Sequence, residues 1–402
     1  MQSIVKKFKI NYMKRKSALV ENGLIKYISN SSGYILIIVL LVLTLLVTMS
    51  TEFLVVAQTN INYIKKFSER LKAGMIAKAG MSLSTVILKA DKLGLTQSFL
   101  GKQGVSKDID CYEDIWAINF PELPLEDGTL KIEIEDENSK INLSVLANEV
   151  VDSTPYYGIL QRFLLNMQLS MDIADTIKDW VDVDDSVSPY GAESSDYYQN
   201  LDKPYSSKNS AMDSIDELLM VKDITPSVYY GLEKQGFEPG ENLVTDNKGD
   251  VDLDLSVLTE IASEDILDKI NNETDLSGID IGKEKSRKLS DYLRVNGERT
   301  DFTNELNKIN INTAPYRVLS ALTGNMTDDI VAEIIRRRLL QPYKNIDEVK
   351  DLIDDESIRK NLLTVKSFLF KITATGTINN TSIKIIGIYY RDRNKFLYWS
   401  EE

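Results

Sequence analysis

The chain has 402 residues, of which 43% are hydrophobic and 27% are charged, a composition typical of a globular protein with two or three domains. Its net charge is −14, but residues 1–33 carry +6 and the remainder carries −20. A body this acidic repels nucleic acid and anionic lipid. Histidine is absent and Cys111 is the one cysteine, which excludes an intrachain disulfide, a multi-cysteine zinc site and the usual neutral-pH general base.

An apolar segment follows the basic leader. No residue between 27 and 51 is charged, and residues 34–56 are long enough to cross a hydrocarbon core of about 30 Å at ~1.5 Å per residue. Because the basic flank comes first, we expect that end to stay in the cytoplasm and the C-terminal body to be exported. On these grounds alone, an uncleaved signal anchor is the simplest interpretation.

The apolar segment continues into a helical pattern. Apolar residues recur at intervals of three or four, which predicts an amphipathic stripe and one helix over residues 34–93, with Gly94 as its stop. The stripe consists of Ile64, Phe67, Leu71, Met75, Ala79, Leu83 and Ile87.

The exported body begins and ends with strand signals. Residues 130–135 alternate apolar and charged side chains, and a turn is predicted at 136–140. A closing hairpin is predicted at 368–375 and 382–390, with its turn at 376–381. These strands are expected to form one antiparallel sheet, with the intervening helical stretch inserted into it, so the predicted class is α+β.

The inserted stretch has helical signals along most of its length. Thr313 is predicted to cap one of these helices, with Pro315 in its first turn. The predicted helices cover residues 157–167, 171–180, 212–221, 225–235, 255–270, 284–295, 313–321, 328–340 and 346–352.

The order of several short motifs resembles the K-type minor pseudopilins of type II secretion, and the similarity covers about residues 33–395. The pilin-type start GYILIIVLLV at 33–42 has Ile38 where a glutamate normally stands, and the K-type family lacks that glutamate. Two departures are a long leader and a long segment at 240–305. The other motifs are EDENSKINL at 135–143, IADTIKDWVDVDD at 173–185, GAESSDYY at 191–198, SIDELLMVKDITPSVYYGL at 214–232 and ININTAPYRVLSAL at 309–322.

The resemblance implies a long transmembrane and periplasmic helix packed on a small antiparallel pseudopilin sheet, with a large all-α insertion of helix-hairpin-helix or SAM-like type. The expected organisation is a prepilin-type leader at 1–33, a transmembrane helix at 34–56, a periplasmic helix with the first part of the sheet domain at 57–143, the inserted α-domain at 144–365 and the closing hairpin at 366–402.

The resemblance also implies a function. The chain would be a minor pseudopilin that caps the type II secretion pseudopilus and helps to initiate its assembly for export of folded proteins across the outer membrane. A prepilin peptidase would cut behind Gly33, so the mature chain would begin at Tyr34. The implied partners are I-type and J-type minor pseudopilins and the major pseudopilin. The chain would be a single-pass inner-membrane protein with a periplasmic body.

A cluster of acidic residues is the candidate metal site. Packed carboxylates repel one another, and Ca²⁺ relieves this with six to eight oxygen ligands. From spacing alone, a solvated acidic loop is the commoner explanation. The resemblance implies calcium binding in this part of the insertion, and the expected ligands are Asp179, Asp182, Asp184 and Glu193.

Three other functions are compatible with parts of the sequence. A tip subunit of a type IV pilus is the alternative within the same class. An exported DNA-binding protein is another, because 214–232 and 309–350 look like helix-hairpin-helix units; however, Asp223 would oppose phosphate and the body is acidic. We therefore expect no nucleic-acid binding. A hydrolase that uses carboxylates alone is compatible with the abundance of Asp and Glu, but no nucleophile elbow, phosphate loop or metallohydrolase signature occurs, so enzymatic function is not expected.

Overall fold

The computed structural model describes residues 2–95, 108–118, 120–125, 127–147, 153–231, 288–295 and 304–402, with the backbone alone for 2–32 and 304. The chain divides into two compact units, Met1–Leu71 and Lys72–Glu402. The helix predicted at 255–270 and part of that at 284–295 lie outside the described residues.

Helix α1, Gln2–Lys92, begins earlier than the predicted start at residue 34. The leader contains no proline, so nothing in its sequence breaks the helix before the apolar segment. The end is as predicted, because Gly94 follows in the left-handed region with φ 69°. Within the described residues, one helical segment, Gly33–Lys92, is long and apolar enough to cross a membrane.

A five-stranded antiparallel sheet is the centre of the second unit. The predicted pairing of the first long strand with the closing hairpin is confirmed. Strand β2, Gly128–Asp136, runs antiparallel to strand β7, Leu369–Ile378, with residue pairs from Thr129–Thr377 to Asp136–Phe370. The hairpin turn has two residues, fewer than predicted, and β9 was not predicted. In spatial order the strands are β1 Leu123–Leu125, β2 Gly128–Asp136, β7 Leu369–Ile378, β8 Thr381–Tyr390 and β9 Lys395–Glu401.

The last turns of α1 pack on this sheet. Ala73, Ala77 and Met81 are buried in one apolar core with residues of β7 and β8, and burying a side chain as large as Met81 contributes about 1.5–3 kcal/mol. The approach is close: a Cβ on Gly376 would lie 2.2 Å from the carbonyl oxygen of Ala73. Small residues on both elements therefore set how near the helix lies to the sheet.

The insertion between β2 and β7 is helical, as predicted, but its helices are short. Among the described residues, its α-helices are α2 Thr154–Asn166, α3 Ile173–Val181, α4 Pro226–Tyr230, α5 Asn304–Asn307, α6 Tyr316–Leu319, α7 Asp328–Leu340 and α8 Glu356–Leu362. Several further turns are 3₁₀-helices, including Ile215–Met220, Leu289–Asp291 and Ile346–Val349.

Parallel strand pairs in the insertion correct the expectation that it is all α. Strand β3, Ile141–Asn142, pairs with β4, Leu293–Arg294, inside a region predicted as helix 284–295. Strand β5, Ile309–Asn310, pairs with β6, Leu363–Thr364. Each pair joins segments far apart in sequence, so local periodicity could not predict it. All four strands are buried in the core of the insertion.

The predicted cap of α6 was also wrong. Pro315, not Thr313, stands at the N-cap, because the Thr313 hydroxyl donates instead to the Asp136 carboxylate at 2.5 Å. Asp136 also accepts hydrogen bonds from Ser367 at 2.5 Å and Asn310 at 3.2 Å. Burial raises the pKa of Asp136 to about 6 although these bonds oppose the shift. This carboxylate therefore joins the end of β2 to the inserted segment.

Candidate functional site

Helix α3 places Asp179 in the centre of the candidate metal site. Asp179 is fully buried, and its Oδ2 accepts a hydrogen bond from the Ser188 backbone amide at 2.9 Å. Its Oδ1 is buried and receives no hydrogen bond from the described part of the chain. A buried carboxylate oxygen without a donor is costly, so this atom is available to a cation.

Asp182 lies at the C-terminal cap of α3. Its Oδ1 is likewise buried without a hydrogen-bond donor among the described residues, while its Oδ2 lies 3.6 Å from the Lys178 ammonium. Burial raises the pKa of Asp182 to about 6; Lys178 opposes the shift, and the charges of Asp184 and Asp179 add to it. The nearby lysine therefore does not fully neutralise this carboxylate.

Glu193 approaches the same place from the loop after α3. It is fully buried; its Oε2 accepts hydrogen bonds from the Ser207 hydroxyl at 2.9 Å and the Ser194 amide at 3.3 Å. Its Oε1 has no donor in the described structure. Burial raises the pKa of Glu193, the two hydrogen bonds lower it, and the charges of Asp179 and Asp182 raise it further. Three acids thus share one electrostatic environment.

Gly191 lets the loop wrap tightly around Asp179. A Cβ at this position would lie 1.8 Å from Asp179 Oδ2, so any side chain would displace the carboxylate. The Lys222 ammonium donates to the Gly191 carbonyl at 3.2 Å instead of pairing with an acid of the site.

The fourth predicted ligand is in a different environment. Asp184 is exposed, and its Oδ1 accepts a hydrogen bond from the Ser186 amide at 2.8 Å. Asp179, Asp182 and Glu193, called here the α3 cluster, influence one another through their charges, but their carboxylate oxygens are not a group within 4.8 Å of one another, and Asp184 lies at the surface. Calcium fits the chemistry of the α3 cluster, since three buried carboxylate oxygens lack donors and oxygen is the ligand that Ca²⁺ prefers.

Sequence reasoning missed a second acidic group, called here the Arg391 cluster. Carboxylate oxygens of Asp91, Asp110 and Asp114 all lie within 4.8 Å of one another. Among the described residues, no other group of three acids has its carboxylate oxygens this close together. The Arg391 guanidinium binds Asp110 through two bonds of 2.7 and 2.8 Å and lies 3.4 Å from Asp91. These residues are up to 300 positions apart in sequence, so no local signal could reveal them.

The Arg391 cluster is a structural junction, because it contains its own cation. Arg391 also lies over the Phe370 ring at 4.8 Å and donates to the Ser367 carbonyl at 2.7 Å. Asp114 accepts from the Cys111 amide at 2.8 Å and the Trp116 indole at 3.2 Å. Burial, with the charges of Asp91 and Asp110, raises the pKa of Asp114 to about 8, so its protonated form predominates at neutral pH.

The predicted processing site lies in the first unit. Gly33 and Tyr34 are part of helix α1, Tyr34 is exposed, and a Cβ on Gly33 would meet no atom within 4 Å. Ile38, at the position of the usual pilin glutamate, is exposed in the same helix. Gly33, Tyr34 and Ile38 are thus all exposed in the described structure.

A long N-terminal helix whose last turns pack on an antiparallel sheet, with a large domain inserted between two adjacent strands, defines a pseudopilin-like protein. Two family models with the description "Type II secretion system (T2SS), protein K" match this chain, at residues 139–235 and 309–366. Both matches lie almost wholly in the insertion. Over these two stretches the chain is similar to the type II secretion system protein K family.

Individual relatives agree with this assignment. Type II secretion system protein K of Pectobacterium carotovorum subsp. carotovorum is 29% identical over 215 residues, covering 50% of this chain and 61% of that protein. Protein K of Aeromonas hydrophila is 30% identical over 128 residues, covering 28% and 38% respectively. The matched region thus spans less than two thirds of either relative.

A solved structure shares the fold. A chain in the crystal structure of the GspK-GspI-GspJ complex from enterotoxigenic Escherichia coli aligns with a TM-score of 0.54 and 18% identity. The alignment covers 85% of this chain and 99% of that chain. The likeness therefore extends over both the sheet and the insertion.

Proposed function

We propose that this chain is a minor pseudopilin that caps the type II secretion pseudopilus and helps to start its assembly, with no catalytic role. The observation that carries the proposal is the insertion itself: the family matches fall there, and it interrupts the sheet between β2 and β7. The shared fold with a chain of the GspK-GspI-GspJ complex supports I-type and J-type minor pseudopilins as direct partners.

Ile38 supports a position at the end of the fibre. A carboxylate in hydrocarbon costs several kcal/mol unless it is paired. In a fibre, the glutamate of a pilin-type subunit is expected to meet the free amino terminus of the next subunit toward the tip. A subunit at the tip has no such neighbour, so an apolar side chain is favoured at this position.

The size of the insertion supports the same place. The inserted region extends from the end of β2 at Asp136 to the start of β7 at Leu369. Bulk of this size would collide with neighbouring subunits within a helical stack, whereas the end of a stack has space for it. One copy per fibre is the expected stoichiometry.

Co-expression tests this proposal. The full chain, purified in detergent with the I-type and J-type pseudopilins of the same operon, should form a 1:1:1 complex, and gold labels on it should mark one end of each fibre. Ile38→Glu should give no gain in assembly, with Ile38→Leu as the neutral control. Labels spread along the fibre would contradict the proposal.

The chain is proposed to be anchored in the inner membrane by residues 34–56 and to be cut between Gly33 and Tyr34 by a prepilin peptidase. The exposed glycine at the start of the apolar part of α1 supports this. Co-expression with the peptidase should give Tyr34 as the N-terminus, and Gly33→Leu should block cleavage while Gly23→Leu should not. Recovery of the uncut chain in assembled fibres would contradict cleavage.

We also propose that the α3 cluster binds calcium, with Asp179, Asp182 and Glu193 supplying buried oxygens and Asp184 contributing from the surface. The support is the set of carboxylate oxygens without hydrogen-bond donors and the raised pKa of Asp182 and Glu193. A bound cation would remove the repulsion among these acids and fix the loop that follows α3.

A further inference from the structure

A cavity of about 540 Å³ lies between the end of helix α2 and the segment that joins α6 to α7. Small-molecule and peptide sites typically have volumes of about 300–1,000 Å³. The cavity is separate from both acidic clusters, since none of their residues lines it. Its walls combine apolar side chains, such as Leu165 and Met326, with amide and hydroxyl groups, such as Asn166 and Ser320.

Two arginines line this cavity and fix its walls to each other. Arg162 on α2 donates through Nε and Nη2 to the carbonyls of Ala321 and Leu322, at 2.7 and 2.8 Å. Arg317 on α6 donates through Nη1 to the carbonyl of Asn166, at 3.2 Å. A guanidinium has five N–H donors, so each arginine keeps donors beyond these bonds. Arg317 Nε is buried and has no acceptor in the described residues.

The charge of these arginines is poorly compensated. Arg336 and Arg337 pair with acids, but the ion pairs found among the described residues do not include Arg162 or Arg317. Burial lowers the pKa of Arg162, and no carboxylate opposes that shift. Asp328 also lines the cavity, and its carboxylate accepts a hydrogen bond from the Tyr316 hydroxyl. Two arginines and one aspartate therefore line one cavity, a balance of +1 in a body that carries −20 overall.

We propose that this cavity binds the carboxylate group of an extended peptide, held by the free donors of Arg162 and Arg317. Guanidinium groups bind carboxylates through paired, charge-assisted hydrogen bonds. The neighbouring amide and hydroxyl side chains can bond to peptide groups, while Leu165 and Met326 offer apolar contact. A singly charged carboxylate suits the site better than a phosphate dianion, which Asp328 would repel.

The site goes beyond the proposed place at the fibre tip, because binding is a property of the isolated chain. Isothermal titration of the full chain in detergent should use acetyl-Ala-Ala-Leu with a free carboxylate, its C-terminal amide, and acetyl-Ala-Glu-Leu-amide. The free acid should bind at least about tenfold more tightly than its amide, as expected for loss of a charge-assisted hydrogen bond. Binding of the glutamyl peptide would identify a side-chain carboxylate as the source; binding of the free acid alone would identify a chain end.

Two variants locate the site. Arg317→Gln removes one guanidinium and should weaken binding of the free acid at least about tenfold. Gly324→Phe adds a ring at the cavity wall, where a Cβ meets no atom within 4 Å, so it keeps the test decisive if the arginine variant misfolds. Arg336→Gln removes the same charge outside the cavity and should bind normally.

Several results would overturn the proposal. These are equal affinity for the free acid and its amide, no binding of any peptide, binding of inorganic sulfate alone, or full retention of binding by Gly324→Phe. Failure of these titrations would leave complex formation with the I-type and J-type proteins unaffected, so this site and the proposed function are tested separately.

Discussion

The α3 cluster and the Arg391 cluster each contain three acids, all of them buried except the half-buried Asp182, but they differ in how their charge is balanced. In the Arg391 cluster, one guanidinium binds Asp110 through two hydrogen bonds and approaches Asp91. In the α3 cluster, the acids leave three carboxylate oxygens without donors, and Lys178 reaches Asp182 only at 3.6 Å. Within the described residues, the first cluster contains its own guanidinium, whereas three carboxylate oxygens of the second have no hydrogen-bond donor.

This difference is the basis for proposing a structural role for the Arg391 cluster and a cation-binding role for the α3 cluster. Removing one partner of a buried ion pair leaves an uncompensated charge and is strongly destabilising. A buried cluster that already lacks a cation has its stability determined by what binds there. We therefore expect the two clusters to respond oppositely to mutation and to added calcium.

The largest effect is expected for Arg391→Met. It leaves Asp110 and Asp91 buried without their cation, so the free energy of unfolding should fall by about 3–5 kcal/mol. Urea unfolding of the full chain in detergent measures this, with the exposed Arg393→Met as control. A loss below about 1 kcal/mol would show that the guanidinium is not the main counter-charge of this cluster.

Calcium should have the second largest effect. A cation that binds only the folded state stabilises it by about 2.7 kcal/mol at a hundredfold excess over its dissociation constant. The melting temperature should rise with calcium, Asp179→Asn should abolish the rise, and Asp114→Asn should retain it. Equal melting in calcium and in chelator would refute the α3 site.

The pH dependence of Asp114→Asn comes next. The folded-state pKa of Asp114, about 8, lies above its ordinary 3.8, so the stabilisation from its bound proton is full below pH 3.8 and is lost as pH rises through about 8. The variant should gain stability relative to the natural chain by about 1.4 kcal/mol for each pH unit in that window.

The charged groups around Asp114 determine how its titration can be measured. Asp91, Asp110 and Arg391 are the charged groups around it, and Arg391 stays charged throughout this range. The measured quantity is the difference between variant and natural chain at pH 5.5 and 7, with exposed Asp354→Asn as the reference. A constant difference across this range would contradict the raised pKa of Asp114.

The smallest effect is expected for Asp184→Ala. Because this carboxylate is exposed, calcium-free stability should change by no more than about 0.5 kcal/mol. The calcium-induced rise in melting temperature should shrink, but by less than in Asp179→Asn. If Asp184→Ala abolishes the rise completely, the surface carboxylate is a principal ligand.

The sequence by itself determined the elements that local pattern encodes. The predicted stripe was wrong about the packed face of α1, since Met75 and Leu83 are exposed whereas Ala73, Ala77 and Met81 are buried. The apolar segment, however, predicted the part of α1 that ends before Gly94, and alternation predicted β2 and the hairpin of β7 and β8. These predictions held because periodicity of 3.6 or 2 is a property of consecutive residues. The motifs of the insertion, in their order, were sufficient to indicate the protein K family.

Tertiary structure alone decided how distant segments meet. Strand β4 lies in a predicted helix because Leu293 and Arg294 pair with β3, about 150 residues earlier in the chain, and such pairing overrides local propensity. The predicted domain boundaries and calcium ligands remain predictions. The structure places Asp184 at the surface, buries Asp179 and Glu193, and leaves Asp182 half-buried.

The two acidic clusters show most clearly that sequence spacing predicts contacts between neighbouring residues but not between distant ones. Spacing within 179–193 indicated that the α3 carboxylates lie close together, because they are neighbours in sequence. No spacing could indicate that Arg391 forms ion pairs with Asp91 and Asp110, which lie 300 and 281 residues away. Whether a buried acid is balanced depends on every element packed against it, and only the folded chain brings those elements together.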